Sequence, residues 1–225
     1  KGLMSGDELV GIDYRPKDGK LYAVGLQGNL YTLNPNNGEA IFLRKLIADP
    51  SDNTDGNASF TQIMGDANLI TVNFNPAADR LRVISNTGQN LRINVDTGAT
   101  ITDGTINLAT GSAAVVAGAY TNAFAGTGST KLYSIDQNSD RIYLQNANVG
   151  TLGNSTALGA DINTNGGGGF DIDPVSNVGF AALKLASGNY KFFKLNLANV
   201  GTSNDAVFES HDLNNSFNSM GIRGI

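Results

Sequence analysis

Apolar and polar residues alternate along this chain in short runs that stop at a proline or at a turn rich in glycine and asparagine. Three runs show it most clearly: Gly11-Ile12-Asp13-Tyr14-Arg15-Pro16, Thr71-Val72-Asn73-Phe74-Asn75-Pro76 and Gly169-Phe170-Asp171-Ile172-Asp173-Pro174. Alternation with period two is the signature of a strand with two different faces, and it ends where proline can no longer donate to a ladder. A second apolar run follows each: Lys20–Val24, Arg80–Ile84 and Val178–Leu183. A third follows after a polar turn, at Asn29–Leu33, Asn90–Val95 and Tyr190–Leu195. Asn37-Gly38 and Thr97-Gly98 then read as hairpin turns into a fourth, such as Ala40–Leu43.

A fainter copy lies between the second and last repeats. Gly118-Ala119-Tyr120-Thr121-Asn122 takes the first-strand place, Lys131–Asp136 the second and Asp140–Leu144 the third. Met220-Gly221-Ile222-Arg223-Gly224-Ile225 reads as one more first strand. First strands recur at about 60, 47, 51 and 52 residues, a four-strand period that suits propeller blades better than a sandwich. The expected fold is therefore an all-β propeller of about five blades in one domain over 1–225. Its four-stranded repeats are placed at 11–64, 71–108, 116–160 and 168–213, with a closing strand at 220–225. The extra length of the first repeat lies in the polar stretch 49–57, followed by Ser59–Met64 as an added short strand or turn.

The ends do not balance. Propellers usually close by combining strands from both termini, and residues 1–10 supply at most an outer strand. The middle strands of a fifth blade are expected upstream of Lys1, or from another chain, or else the ring is open. A start at Lys1 rather than Met points to a preceding segment.

Composition sharpens this. The chain has 225 residues, 40% hydrophobic and only 16% charged, with 28 glycines. Glycine and asparagine populate the φ > 0 conformations of tight turns, so a chain rich in both reverses direction often. With no cysteine, disulfides, thiolate metal sites and a cysteine nucleophile are excluded. A net charge of −5 disfavours nucleic acid, which needs a concentrated basic face. No run approaches the length of a membrane span. Weakly charged, Asn/Thr/Gly-rich sequence suits an exported protein, extracellular or periplasmic.

The run Phe74-Asn75-Pro76-Ala77-Ala78-Asp79-Arg80-Leu81-Arg82-Val83 and the stretch Asn86–Gly98, with Gly11–Pro16, Ala119–Asn122 and Gly169–Ile172, strongly resemble the bacterial family known as domain of unknown function 4394. The resemblance covers nearly the whole chain. It implies an exported, propeller-like protein and carries no activity. Members of that family look as though they begin with a Leu/Tyr-rich strand pair that this chain lacks.

Candidate chemistry is sparse. Aligning first strands places Asp13, Asn73, Tyr120, Asp171 and Arg223 at one position, with Arg15, Asn75, Asn122 and Asp173 two residues on. Equal register around a propeller brings them to similar heights near the axis, where oxygen ligands suit a hard cation or a small polar ligand. The competing reading, and the favoured one, is that each side chain satisfies backbone groups of the next blade. Arg82 and Arg92 lie on adjacent strands and together suit a carboxylate or sulfate; pairing with Asp79 and Asp96 is preferred. Asp49, Asp52, Asn53, Asp55 and Asn57 crowd one loop without EF-hand spacing, so no cofactor is expected, Ca²⁺ being the candidate if there is one. Gly166–Gly169 lacks the Lys-Ser/Thr and helix of a phosphate loop. The lone His211, in Glu209-Ser210-His211-Asp212, makes neither a triad nor a multi-histidine metal site.

The favoured function is a non-enzymatic binding or scaffold module of unknown ligand. It engages a protein partner or a second copy through exposed blade edges, by strand addition at the incomplete blade. The alternative is a metal-assisted hydrolase or lyase acting on a polar substrate at the central channel.

Overall fold

The structure is a computed structural model that describes residues 1–53, 58–162 and 168–213. Four antiparallel sheets follow one another along the chain, each from inner to outer strand. Blade 1 comprises β1 (Leu9–Tyr14), β2 (Leu21–Gly25), β3 (Asn29–Leu33) and β4 (Ala40–Lys45). β5 (Ile47–Ala48) leaves blade 1 and pairs in parallel with the outer strand of blade 2. Blade 2 is β6 (Ile70–Asn75), β7 (Arg80–Ser85), β8 (Asn90–Ile93) and β9 (Ala99–Thr102). Blade 3 is β10 (Val115–Tyr120), β11 (Leu132–Asp136), β12 (Arg141–Gln145) and β13 (Leu152–Ala157). Blade 4 is β14 (Gly168–Ile172), β15 (Val178–Lys184), β16 (Tyr190–Asn196) and β17 (Val207–Leu213).

This is the four-stranded propeller pattern that the repeats predict, with four blades among the described residues where about five are expected. The expected closing strand at 220–225 lies outside the described residues, as do Asp55, Asn57, Gly166 and Gly167. Ser59–Met64 forms no strand; Phe60 and Ile63 instead bury their side chains between blades 1 and 2.

Local chemistry explains the elements. The Asn34 and Asn94 carboxamides accept the N–H two residues on, at 2.9 and 3.0 Å, and the turns close at Gly38 and Gly98 with φ of 67° and 81°. That is why Asn and Gly are abundant: each opens or closes a hairpin. Burial falls from the axis outward. Every residue of β10 and β11 is buried, because both sheet faces meet a neighbouring blade, whereas β17 is exposed from Phe208 to Asp212.

The core holds three inter-blade layers and a smaller buried cluster, Ala23, Tyr31 and Ala40, on the other face of blade 1. Tyr22, Val24, Leu30, Phe74 and Leu81 fill the first, Ile84, Val115, Tyr120, Leu132 and Tyr143 the second, and Ile135, Phe170, Ile172, Phe193 and Leu195 the third. Exit segments stitch each blade to the next: Ile47–Ala48 onto β9, Asn107 onto Thr151, and Ile162 onto Leu185. The inner strands β1, β6, β10 and β14 pack side by side in that order. Approach is close where Gly11 meets β6, since a Cβ there would lie 2.5 Å from a Val72 methyl. Among the described residues β14 and β1 make no comparable packing. That seam separates blade 4 from blade 1.

Candidate functional site: the axial strands and the seam

Backbone pairing defines equivalent positions on the inner strands. The N–H groups of Arg15, Thr121 and Asp173 donate to Lys20, Lys131 and Val178 carbonyls at 2.9, 2.9 and 3.0 Å, and Asn75 faces Arg80. Two residues earlier stand Asp13, Asn73, Ala119 and Asp171, termed here the latch position. The sequence alignment placed Tyr120 and Asn122 in these rows; the structure moves blade 3 by one residue. Pro16, Pro76 and Pro174 fix the frame in the other blades, and blade 3 has Asn122 in that place, at φ 55°.

The latch side chains bond across blades. Asp13 Oδ2 accepts the Phe74 N–H at 2.6 Å, and Asn73 Oδ1 accepts the Tyr120 N–H at 2.9 Å. Each ties a blade to the backbone of the next, one residue beyond the latch. Thr71 and Gly118 add a reciprocal pair at 3.0 and 3.1 Å. Removing Asn73 strands a buried N–H, which costs about 1–3 kcal/mol. Asn73→Ala is therefore expected to lower stability in urea by that amount. Asn73→Asp, which reproduces the Asp13 geometry, is expected to lose less.

Burial pushes the Asp13 carboxyl up to about 8 despite the N–H groups of Phe74 and Tyr14, with the Asp171 charge adding to the rise. Asp171 is pushed up to about 6, again first by burial, with Asp173 adding. The axial cavity beside them, lined by Gly11, Ile12, Thr71, Asn73 and Phe170, holds ≈ 20 Å³. That is room for water, not for a polar substrate.

Arg15 serves a different end. Its guanidinium, 5% exposed, grips both oxygens of Asp79 (2.7 and 2.7 Å) and both of Asp96 (2.8 and 2.8 Å), with Asp18 at 3.3 Å. Hydrogen bonds from Arg15 hold Asp79 down at about 2, and Arg15 lies over the Tyr22 ring. This is a bidentate clamp from blade 1 onto two turns of blade 2. Asp79 and Asp96 are thus taken, and the expected pairing of Arg82 and Arg92 with them is corrected. Both arginines converge on Asp103: Arg82 at 2.6 Å, Arg92 at 3.0 and 3.0 Å. Arg82 also reaches Asn90 (2.8 Å), Asn148 (2.9 Å) and the Tyr120 hydroxyl (3.2 Å). The pair does clasp a carboxylate, but one from its own chain.

Asn75 caps its turn by accepting from Ala77 and Ala78 at 3.0 and 2.9 Å. Asn122 exchanges hydrogen bonds with Asn177 of blade 4 at 2.9 and 2.8 Å. Asn75 and Tyr120 line an open groove of ≈ 610 Å³, and Asn122 lines a second of ≈ 450 Å³. Lys131 borders both, and no acidic side chain borders either. Asp49 accepts from the Ser51 N–H and hydroxyl, and Asp52 from the Thr102 N–H at 2.9 Å. Among the described residues no three His, Cys, Asp or Glu side chains are grouped to hold a metal. His211 meets Glu209 at 2.5 Å on the exposed β17. Arg223 lies outside the described residues.

At the seam, the aromatic faces of blades 1 and 4 are a feature that the motifs do not show. Cross-strand pairing puts Ile12, Ala23, Tyr31 and Phe42 in one row, and Tyr14, Leu21, Leu33 and Ala40 in the next. The opposite face of blade 1 carries Tyr22, which meets Phe74 edge-on at 5.4 Å, so that face looks to blade 2. The apolar rows therefore look away from it, and Tyr14 and Phe42 remain 47% and 41% exposed. On blade 4 the row Phe170, Ala181, Phe193 packs toward blade 3, leaving Asp171, Phe180 and Lys194 on the other face. There Phe180 and Phe192 stack at 6.0 Å and stay half-buried. Period-two alternation in both blades carried that signal, had each face been followed separately.

The family model described as Domain of unknown function (DUF4394) matches residues 1–216. The chain belongs to this family. No curated protein matches it. Among solved structures, this DUF4394 chain is similar to the WD40 domain of Toxoplasma gondii coronin (10% identity, TM-score 0.50), covering 91% of itself and 47% of that chain. It also resembles Myxococcus xanthus glutaminyl cyclase (13%, TM-score 0.48), covering 80% of itself and 69% of that chain. The Myceliophteria thermophila Cps50 (Swd1) β-propeller domain gives 14% and TM-score 0.47 over 84% and 55%. The DUF4394 chain thus spans about half the length of the coronin domain. At such identities the coronin likeness bears on fold alone.

Proposed function

We propose that this chain is a non-enzymatic binding or scaffold propeller that works outside the cytoplasm and recruits a protein partner, or a second copy, at an incomplete blade between β14 and β1. The observation that carries the reading is the pair of sheet faces at the seam that stay partly exposed among the described residues, although Ala23, Tyr31 and Ala40 are buried on the blade 1 side. Phe42, Tyr14 and Leu33 lie on one side, and the stacked Phe180 and Phe192 on the other. Every other inter-blade layer buries such residues, and an aromatic face left half-exposed is a docking surface in want of a sheet. Weakly charged, Asn/Thr/Gly-rich sequence supports an exported setting, and among the described residues no helix is long and apolar enough to cross a membrane. The axial cavity's size weighs against a channel enzyme.

Sedimentation velocity across a concentration series, with hydroxyl-radical footprinting of the aromatic side chains, tests this. Self-association is expected to rise with concentration while Phe42, Phe180 and Phe192 become protected. Phe42→Asp and Phe180→Lys are each expected to weaken it about tenfold, the effect of losing an anchoring aromatic. A monomer whose seam aromatics are already protected at the lowest concentration overturns the reading.

A further inference from the structure

Two open grooves, of ≈ 610 and ≈ 450 Å³, share Thr130 and Lys131 as a common wall. That wall belongs to the turn leaving the inner strand of blade 3. It runs over 121–131, whereas the matching turns run over 15–20, 76–79 and 173–177. The long turn is braced. The Thr130 hydroxyl donates to the Thr121 carbonyl at 2.5 Å and the Asn122 carboxamide to the Ser129 carbonyl at 3.0 Å. The Asn122–Asn177 exchange then ties it to blade 4. Its backbone is thus set before any ligand arrives, which lowers the ordering cost of binding.

Several carboxamides along these grooves are used in one sense only. Asn75 Oδ1 accepts the Ala77 and Ala78 N–H groups, Asn146 Oδ1 the Val149 N–H at 3.3 Å, and Asn196 Oδ1 the Ala198 N–H at 3.1 Å. A backbone N–H can meet only the oxygen of a carboxamide, so each of these spends its acceptor on its own turn and keeps its Nδ2 donors. Gln145, 4% exposed, repeats the pattern at the buried wall of the larger groove. Its Oε1 takes the Ser134 hydroxyl at 2.6 Å, and among the described residues its Nε2 has no hydrogen-bond partner. A buried donor without a partner is costly, and it marks a place where another molecule completes the bonding. Lys131, which only donates, borders both grooves, and no acidic side chain among the described residues borders either.

That lining selects its ligand. A cation or a basic peptide finds no carboxylate here, and a nucleic acid needs more than one ammonium. A peptide docks on a free sheet edge or sinks side chains into apolar pockets, whereas these walls are mainly turns and strand ends bearing amides and hydroxyls. Both volumes fall within the range of about 300–1,000 Å³ for small-ligand sites. We propose that the two grooves form one binding site for an acidic oligosaccharide, whose uronate carboxylate meets Lys131 and whose ring and hydroxyl oxygens accept from Asn75, Asn146, Asn196 and Gln145. Leu132 and Leu144 in one groove and Leu197 in the other give the sugar rings apolar ground. The site lies among blades 2, 3 and 4, away from the seam between β14 and β1, and goes beyond the docking proposed there.

Isothermal titration of the full chain with tetrasaccharides of galacturonate, glucuronate and mannuronate, each beside its neutral methyl ester, tests this. At least one acid is expected to bind, and its ester about tenfold more weakly, the effect of losing a charge-assisted hydrogen bond. Lys131→Met is expected to bind that acid and its ester alike. Asn146→Asp keeps an oxygen for the Val149 N–H but puts an acceptor where the donor stood. It is expected to weaken binding of the acid about tenfold with the thermal midpoint unchanged. Phe42→Asp, at the seam, is expected to bind as the unmutated chain does, so the two readings fail separately. The proposal is overturned if none of the three acids binds, or if an oligoglutamate of equal charge binds as tightly. Undiminished binding by Asn146→Asp, or a Lys131→Met variant that still prefers acid to ester, overturns it too.

Discussion

Replacing Arg82 by Met is expected to destabilise the protein by about 3–5 kcal/mol, the cost of stranding one member of a buried ion pair. Arg82 and Asp103 are 3% and 2% exposed, so neither can be rehydrated in place. The guanidinium also satisfies Asn90, Asn148 and the Tyr120 hydroxyl, groups contributed by blades 2 and 3. Removing it therefore breaks a network spanning an inter-blade layer as well as a pair. Arg92 remains on Asp103 but is 30% exposed, and it cannot fill the space that Arg82 leaves. Urea denaturation checks the figure through a shift in midpoint at unchanged slope. The double variant Arg82→Met/Asp103→Leu separates causes. If the loss is the stranded carboxylate, the double variant recovers more than half of it; if the loss is shape alone, it recovers none. A single-variant loss below about 1 kcal/mol would show that water reaches Asp103, contrary to its burial.

The blade plan was legible because three inner strands end on proline at the same offset, and Pro16, Pro76 and Pro174 hold the frame against drift. Blade 3 shows the limit. With Asn122 where the others have proline, spacing alone leaves the register of blade 3 free to slip by one residue, and it puts Tyr120 in the place that Ala119 occupies. The charged clusters were harder still. Arg82 and Arg92 were recognisable as a pair on adjacent strands, but strand pairing alone does not say which carboxylate arrives between them. Asp103 comes from the exit of β9, a stretch without apolar alternation to fix its height, while Asp79 and Asp96 sit on turns that the packing of β1 against β6 swings toward Arg15. Buried ion pairs are chosen by which turn lands opposite, and that is a property of blade packing rather than of spacing. The Asp7 carboxylate bonded to the Tyr31 hydroxyl at 2.6 Å was missed for the same reason.

Arg15 offers the second large effect, and one with a pH signature. Asp79 is held at about 2, against an ordinary 3.8, chiefly by its hydrogen bonds from Arg15, with Lys17 adding. A folded-state value below the unfolded one stabilises the protein above pH 4, and that stabilisation is lost as pH falls through about 2. The shift corresponds to about 2 kcal/mol, an upper figure because Asp79 is 24% exposed and partly screened. Arg15→Met is expected to cost about 3 kcal/mol at pH 7, since it also frees Asp96 and uncovers the Tyr22 ring. The cost is smaller than at Arg82 because Asp96, 56% exposed, returns to water and Lys17 stays on Asp79. Thermal melts from pH 7 down to pH 2 should show the wild type and Arg15→Met converging at the acid end, the wild type losing its advantage between about pH 4 and pH 2. Parallel curves over that range would mean that Arg15 acts by packing against Tyr22 and not by charge. The clamp would then be an aromatic contact carrying carboxylates as passengers.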